Sequence, residues 1–336
     1  MTDIAREAGC SQATVSFVLN QSSTVKLSTK TKERILQAVQ KLGYVSSSKK
    51  ATTTPIRSKS IGFIVDQLAT SPEAINAIEG VCHAAQANGF LVLVSQTLGS
   101  TETEAETIQA MVAQGVSMLV FMTIFTRKIE LSSKVYELDI PVLLLNCYSA
   151  SKTLPTVIPS EVAGGQRSTQ HLIKKGHRRI AIITGELWME AAQDRLKGYR
   201  RALATADIPF DSSLVVEGDW SASSGYEATN KLLGLKNIPT AIFCQNDRTA
   251  IGCYEALKEA GLNIPRDMSV IGFDDEDISR HLHPQLTTSI LPHRAMGQWA
   301  VEQFENLLNS DQSHHAIVKI ECSLIERESV AKPRNT

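Results

Sequence analysis

A chain of 336 residues, 43% hydrophobic and 21% charged, exceeds what one hydrophobic core usually serves, so two or three domains are expected. No run approaches the ~18 apolar residues of a membrane span, and the opening MTDIAREAGCSQ has no apolar stretch behind its charges; a cytoplasmic protein with no secretory leader is therefore expected. The formal net charge of −1 hides an asymmetry, because residues 1–60 hold ten Lys/Arg against three acids, a net of +7, and the remaining 276 residues carry −8.

A cationic segment suits a polyanion, since neutralising phosphates releases condensed counterions. A solvated basic tail is the competing reading, and periodicity separates the two. Ile4, Ala5 and Ala8, then Val15, Val18 and Leu19, place apolar groups at helical spacing on two short segments. Between them Gly9 can adopt the positive φ that closes the first helix, and Ser11 can cap the second. A third helix is predicted from Ser28, its cap, to Leu42, with Ile35, Leu36, Val39 and Leu42 on one face and Gly43 ending it. Three short helices with such a turn make a helix-turn-helix, whose second helix can lie in a DNA major groove.

The run Asp3-Ile4-Ala5-Arg6-Glu7-Ala8-Gly9-Cys10-Ser11, followed by Ala13-Thr14-Val15-Ser16-Phe17-Val18-Leu19-Asn20, resembles the head of the lac repressor family of bacterial transcription regulators. Ser28-Thr29-Lys30-Thr31 and Leu42-Gly43-Tyr44 fit the same pattern. The resemblance implies that Gln12, Ala13 and Phe17 occupy base-reading positions, with Thr14, Ser16, Asn20 and Tyr44 at or beside phosphates. Phe17 stands where the family usually has arginine, which removes the bidentate contact to guanine and favours an apolar contact to a thymine methyl. The family pattern begins a few residues ahead of Met1.

In residues 45–60, VSSSKKATTTPIRSKS, the family usually forms a hinge helix with a leucine wedge; Thr53 stands at that position. Three β-branched threonines before Pro55 make a poor helix, so a flexible linker is expected, with Lys49, Lys50, Arg57 and Lys59 available to phosphates. The expected division is a DNA-binding head over 1–45, a hinge or linker over 46–60 and an effector-binding body over 61–336.

From Ile61 the apolar runs IGFIVD, FLVLVS, SMLVFM and PVLLLN alternate with helical patterns, and RIAIIT, SLVVEG, TAIFCQ and MSVIGFD repeat the rhythm. Solid apolar strands joined by helices predict two doubly wound parallel sheets. Ligands bind beyond the carboxyl ends of such strands, which brings Asp66, Asn146, Asn246 and Asp274 toward one cleft. The body resembles the same family, and through it the periplasmic sugar-binding fold, across nearly all of residues 60–330. The matching stretches include Gly176-His177-Arg178-Arg179, Asp194-Arg195-Leu196-Lys197-Gly198-Tyr199, Gly218-Asp219-Trp220, Ile271-Gly272-Phe273-Asp274-Asp275 and Pro284-Gln285-Leu286-Thr287-Thr288. The expected fold is an all-α head plus a two-lobed α/β core. Its first lobe is about 61–157 and 292–322; its second is about 158–291 and 323–336.

Matching family effector positions are Arg195, Trp220, Asn246 and Asp274, a set suited to a polyol: a fork of donors, a flat apolar face, and acceptors for neighbouring hydroxyls. Asp66, Thr70, Ser71 and Asn146 are further candidates from the first lobe. Taken singly, Trp220 reads as core and Arg195 as a surface ion pair; their place in matching motifs favours the site. The expected effector is a sugar or oligosaccharide, and a purine or phosphorylated compound remains open because arginine also suits phosphate.

No enzyme is expected, since GxSxG, Walker A and GxGxxG patterns are absent. No cofactor or metal is expected either: His281 and His283 lie near Asp277 without further ligands at suitable spacing. The six scattered cysteines, with no CxxC pair, read as buried thiols. The ending VAKPRNT lacks a leucine-heptad repeat, so a homodimer on double-stranded operator DNA is the expected assembly. Two rivals are a solute-binding receptor, which would lack operator binding, and an α/β hydrolase or kinase, which would need a nucleophile or phosphate loop.

Overall fold

The computed structural model describes residues 2–19, 28–41, 59–68, 72–150, 153–309 and 316–334. The chain separates into two units, Met1–Ser58 and Lys59–Thr336.

The first unit contains α1 (Thr2–Glu7), α2 (Gln12–Leu19) and α3 (Thr29–Lys41). Gly9 adopts φ +59° in the turn between α1 and α2, where a side chain would be strained. Ser11 Oγ accepts the Thr14 N–H (3.2 Å), and Ser28 Oγ accepts the Thr31 N–H (3.2 Å), so each of the two longer helices starts on a serine cap. Ile4, Ala5, Ala8, Val15, Ile35 and Ala38 are buried together, with Cys10, Val18 and Val39 packed against them. Leu36 departs from expectation: it is 54% exposed, because it lies about 100° around the helix from Ile35, and Ala38 takes its place in the core.

In the second unit the chain forms β1 (Ser60–Val65), α4 (Pro72–Ala87), β2 (Leu91–Gln96), α5 (Thr101–Ala113), β3 (Met118–Ile129), β4 (Val142–Ser149) and β5 (Thr156–Pro159). Next come α6 (Glu161–Lys174), β6 (Ile180–Thr184), α7 (Glu190–Thr205), β7 (Val215–Glu217), α8 (Ala222–Leu233), β8 (Ala241–Cys244), α9 (Asp247–Glu259) and β9 (Ser269–Ile271). The rest comprises β10 (Thr288–Ser289), α10 (His293–Glu302), α11 (Phe304–Asn309), β11 (Ile317–Ile320) and β12 (Leu324–Ile325).

Two parallel sheets result, ordered β11-β5-β4-β3-β1-β2 and β7-β6-β8-β9. Every residue of β1, β6 and β8 is buried, as expected for strands covered on both faces. Each sheet separates two apolar layers: one around Phe63 and one around Leu144 in the first lobe, one around Ile242 and one around Phe243 in the second. The chain passes between the sheets after β5, after β10 and after β11, and the short antiparallel pair β10–β12 ties two of those crossings together.

Two features of the first sheet exceed the expected strands. β5 and β11 add to its edge, and β3 runs on to Ile129 through a register shift against β4 between Met122 and Arg127. Such a bulge re-aims side chains near a site. Cysteines also depart partly from expectation: Cys147, Cys244, Cys253 and Cys322 are buried, Cys10 is partly covered, and Cys82 is exposed because it faces outward from α4. No described helix is long and apolar enough to cross a membrane.

Candidate functional site

In the head, the residues expected to meet DNA centre on α2. Gln12 is exposed at its first turn and Thr14 is half-buried with its hydroxyl 2.8 Å from Ser11 Oγ. Ala13, Ser16 and Phe17 lie on the same helix. Asn20 and Tyr44 lie outside the described residues, as do Thr53 and the hinge segment through Ser58.

In the body, a cavity of about 470 Å³ opens where the carboxyl ends of the two sheets face each other. The volume falls in the range of small-molecule sites, roughly 300–1,000 Å³. Asn146, Arg195, Trp220, Asn246 and Asp274 all line it. Three of them, Asn146 (φ +59°), Trp220 (φ +68°) and Asp274 (φ +110°), sit in the left-handed region. Backbone strain of this kind persists only where surrounding structure over-determines it, and it clusters at ligand clamps.

Arg195 is the best-anchored group. Its Nε–H donates to Glu161 Oε2 (2.7 Å), Nη2 to Glu161 Oε1 (3.0 Å) and Nη1 to the Gln245 carbonyl, and its Nη1 lies 3.5 Å from Asp274 Oδ1. Gly165 permits this geometry: a Cβ there would stand 2.4 Å from the Arg195 carbonyl oxygen, so α6 and α7 could not approach. Burial opposes the guanidinium charge, but Glu161 and Asp274 more than offset it and raise the Arg195 pKa. Two aromatic rings lie beside it, with centroids at 3.8 Å for Phe273 and 5.6 Å for Trp220.

Trp220 packs its ring on Gly185, where a Cβ would come within 2.0 Å of the indole, and its indole N–H points to Met189 Sδ at 3.2 Å. Asn246 differs from the expectation that it accepts from an effector hydroxyl. Its Oδ1 caps α9 by accepting the Thr249 N–H (2.9 Å), and its Nδ2 donates to the Trp220 carbonyl (3.0 Å), so it holds the loop that presents the indole. Asn146 is held by the bulged part of β3: Thr126 Oγ1 donates to its Oδ1 (2.7 Å), and its Nδ2 donates to the Thr123 carbonyl (2.8 Å).

Asp66 is not among the residues that line this cavity. Its carboxylate accepts the Ile124 N–H and pairs with Arg127, both at 3.0 Å, and it lines a separate space of about 240 Å³ with Thr97, Glu104 and Cys147. The turn of β3 therefore consumes Asp66 as a brace. Thr70 and Ser71 lie outside the described residues.

Several lining groups carried no signal in the sequence. Ile124, Phe125 and Thr126 enter through the β3 bulge, Glu73 from α4, Met189 from the loop before α7, Arg248 from the first turn of α9, Glu276 from the loop after β9, and His293 from the start of α10. His293 is 1% exposed and its Nε2 has no partner among the described residues. Burial, reinforced by Arg195, lowers its pKa to about 3, so the imidazole is neutral. Burial raises Asp274 well above the usual carboxylate range, and neighbouring Glu73, Asp247 and Glu276 oppose the help from Arg195. Phe125 of the first lobe meets Trp188 of the second edge-on at 5.7 Å, and Tyr148 Oη donates to Glu190 (2.9 Å), so both lobes touch beside the cavity.

Among the described lining residues, no nucleophile is paired with a base. His281 and Asp277 form an exposed pair at 3.3 Å, and no group of three or more potential metal ligands occurs among the described residues.

Comparison with known proteins matches residues 1–47 to the family described as bacterial regulatory proteins, lacI family, and residues 169–330 to the periplasmic binding protein-like domain. The ribose operon repressor of Haemophilus influenzae is 31% identical over 333 residues, 98% of either chain. The transcriptional repressor PurR of Vibrio cholerae is 29% identical over 331 residues, 98% of this chain and 97% of that one. A solved structure of the lac repressor dimer bound to operator and the anti-inducer ONPF shares 28% identity over 98% of each chain, with a TM-score of 0.66.

Proposed function

This chain belongs to the lacI family of bacterial regulatory proteins, and from that premise we propose that it is a repressor whose operator affinity is set by a sugar or oligosaccharide held in the interlobe cavity. It is a DNA-binding transcriptional regulator controlled by a small effector. It works as a homodimer on double-stranded operator DNA, which it meets in the cytoplasm.

In the head, α2 is the reading helix. Gln12, Ala13 and Phe17 face base edges, while Thr14, Ser16, Asn20 and Tyr44 hold the phosphates on either side. Two heads then read half-sites about one helical turn apart.

In the body, the observation that carries the reading is the flat face of Trp220 set beside the Arg195–Glu161–Asp274 network inside a cavity of about 470 Å³. A pyranose or furanose ring presents an apolar face to the indole and hydroxyls to Asp274, Asn146 and the His293 nitrogen. Arg195 already commits its donors to Glu161, Gln245 and Asp274, which leaves little of the fork a phosphate would need and disfavours the phosphorylated alternative. Effector binding closes the lobes, alters the spacing of the two first lobes across the dimer, and so changes how well both heads dock together.

A thermal-shift screen of sugars and nucleotides tests the site. A sugar should raise the melting temperature of the wild type by several degrees, as ligand binding to the folded state requires, and the rise should vanish in Trp220→Ala and Asp274→Ala. Equal stabilisation of all three proteins by the same compound would place the effector elsewhere.

A further inference from the structure

We propose that the effector carries a positive charge on its hydroxylated frame, as an amine-bearing sugar does, and that Glu73 of the first lobe and Asp274 and Glu276 of the second hold that charge between them. The inference rests on the interlobe cavity being the effector site, and it adds the charge of the ligand.

Six carboxylates line the cavity, Glu73, Glu161, Glu186, Asp219, Asp274 and Glu276, against two guanidiniums, Arg195 and Arg248. Neither guanidinium is available to balance the excess. Arg195 is committed to Glu161 and Asp274, and Arg248 to Glu276, with Nε 3.1 Å from Oε1. The third titratable type present, His293, is neutral and contributes a nitrogen with no partner among the described residues. Glu73 Oε2 is likewise buried without a partner among the described residues.

Glu73 belongs to α4 in the first lobe, and its charge acts on both Asp274 and Glu276 in the second. Closing the lobes on an uncharged ligand would press like charges together in a space that excludes water, where repulsion is strongest. An ammonium group removes that repulsion and converts three acceptors into charge-assisted partners. The nearly buried His293, unused by any described neighbour, then accepts from a hydroxyl or a further N–H of the same molecule. An anion meets the opposite situation, with no free cation to receive it among the described lining residues.

The test is calorimetric titration of the full chain at pH 7.5 with matched probes: glucose, galactose and mannose, then their 2-amino-2-deoxy, N-acetylated and 6-phosphate forms, with spermidine as an amine without hydroxyls. At least one free hexosamine should bind about tenfold or more tighter than both its neutral parent and its N-acetyl form, the margin that a charge-assisted bond adds over a neutral one. Glu73→Gln should shrink that margin to within about threefold, by weakening the hexosamine and relieving the repulsion that opposes its neutral parent, as expected when a Coulombic contribution is removed. The wild-type comparison needs no variant, so a misfolded Glu73→Gln would not blunt the test. Tighter binding by a neutral or phosphorylated form overturns the inference and leaves the sugar site standing. Binding by spermidine alone keeps the charge and overturns the sugar. No binding by any hexosamine or by spermidine overturns the inference outright.

Discussion

Replacing Arg195 with methionine is expected to cost about 3–5 kcal/mol of folding stability in urea titrations at pH 7, the range for breaking a buried ion pair by removing one partner. Arg195 is 3% exposed and Glu161 5%, so the orphaned carboxylate is left with little access to water. Losing the guanidinium also strips the Gln245 carbonyl of its donor and leaves Asp274 without its nearest cation. Methionine keeps the stem and much of the packing on Phe273, so the loss reports charge rather than volume. The companion change Glu161→Met should recover most of the deficit in the double variant, because a buried pair replaced by apolar groups of similar size is often close to neutral. A loss under about 1 kcal/mol, or no recovery in the double variant, would mean that the network does not act as a unit.

A second large effect is expected at the β2 edge of the first sheet. Leu91, Leu93 and Val94 are 58%, 38% and 41% exposed, and Leu98 just beyond them is 70% exposed. An apolar edge strand left open is a liability in a monomer, and a homodimer gives it an occupant, a second copy of this chain. Leu93→Lys with Val94→Lys should therefore produce monomers in sedimentation and weaken operator binding by roughly 10²–10⁴-fold, the avidity lost when two linked heads become independent. Each variant head keeps its own contacts, so binding to a single half-site should remain unchanged. A variant that stays dimeric places the pairing surface elsewhere.

The range of the interactions decides how far the fold and site were legible from the residues. In the head, the apolar spacing of Ile4, Ala8 and Val15 and the caps Ser11 and Ser28 are local signals, and local signals decide helices of this length. Leu36 failed because propensity and apolar character do not say which of two adjacent residues faces inward. The parallel strands were readable because strands buried on both faces are apolar throughout. Asp66 was misplaced by a rule that is right about strand ends and silent about the neighbouring strand: the β3 bulge supplies Ile124 N–H and Arg127 and diverts the carboxylate. The same bulge brings Phe125 and Thr126 to the cavity. Glu73 and His293 lie far apart in sequence and meet only through the chain crossings, which no short pattern encodes. A histidine directly after Pro292 at a helix start, opposite an acidic set of loops, was the one available hint.

The claim on which the rest depends is that occupancy of the interlobe cavity and grip on DNA are coupled in one polypeptide. The direct measurement takes the sugar or amino sugar that most stabilises the full chain, and determines operator affinity with and without it at saturation and, separately, its own affinity with and without operator. The account predicts that both affinities change by the same factor, about 5–150-fold, as linkage between two sites requires. Operator affinity unaltered within about twofold by a saturating cavity ligand would contradict it, since a ligand with equal affinity for both states shifts neither.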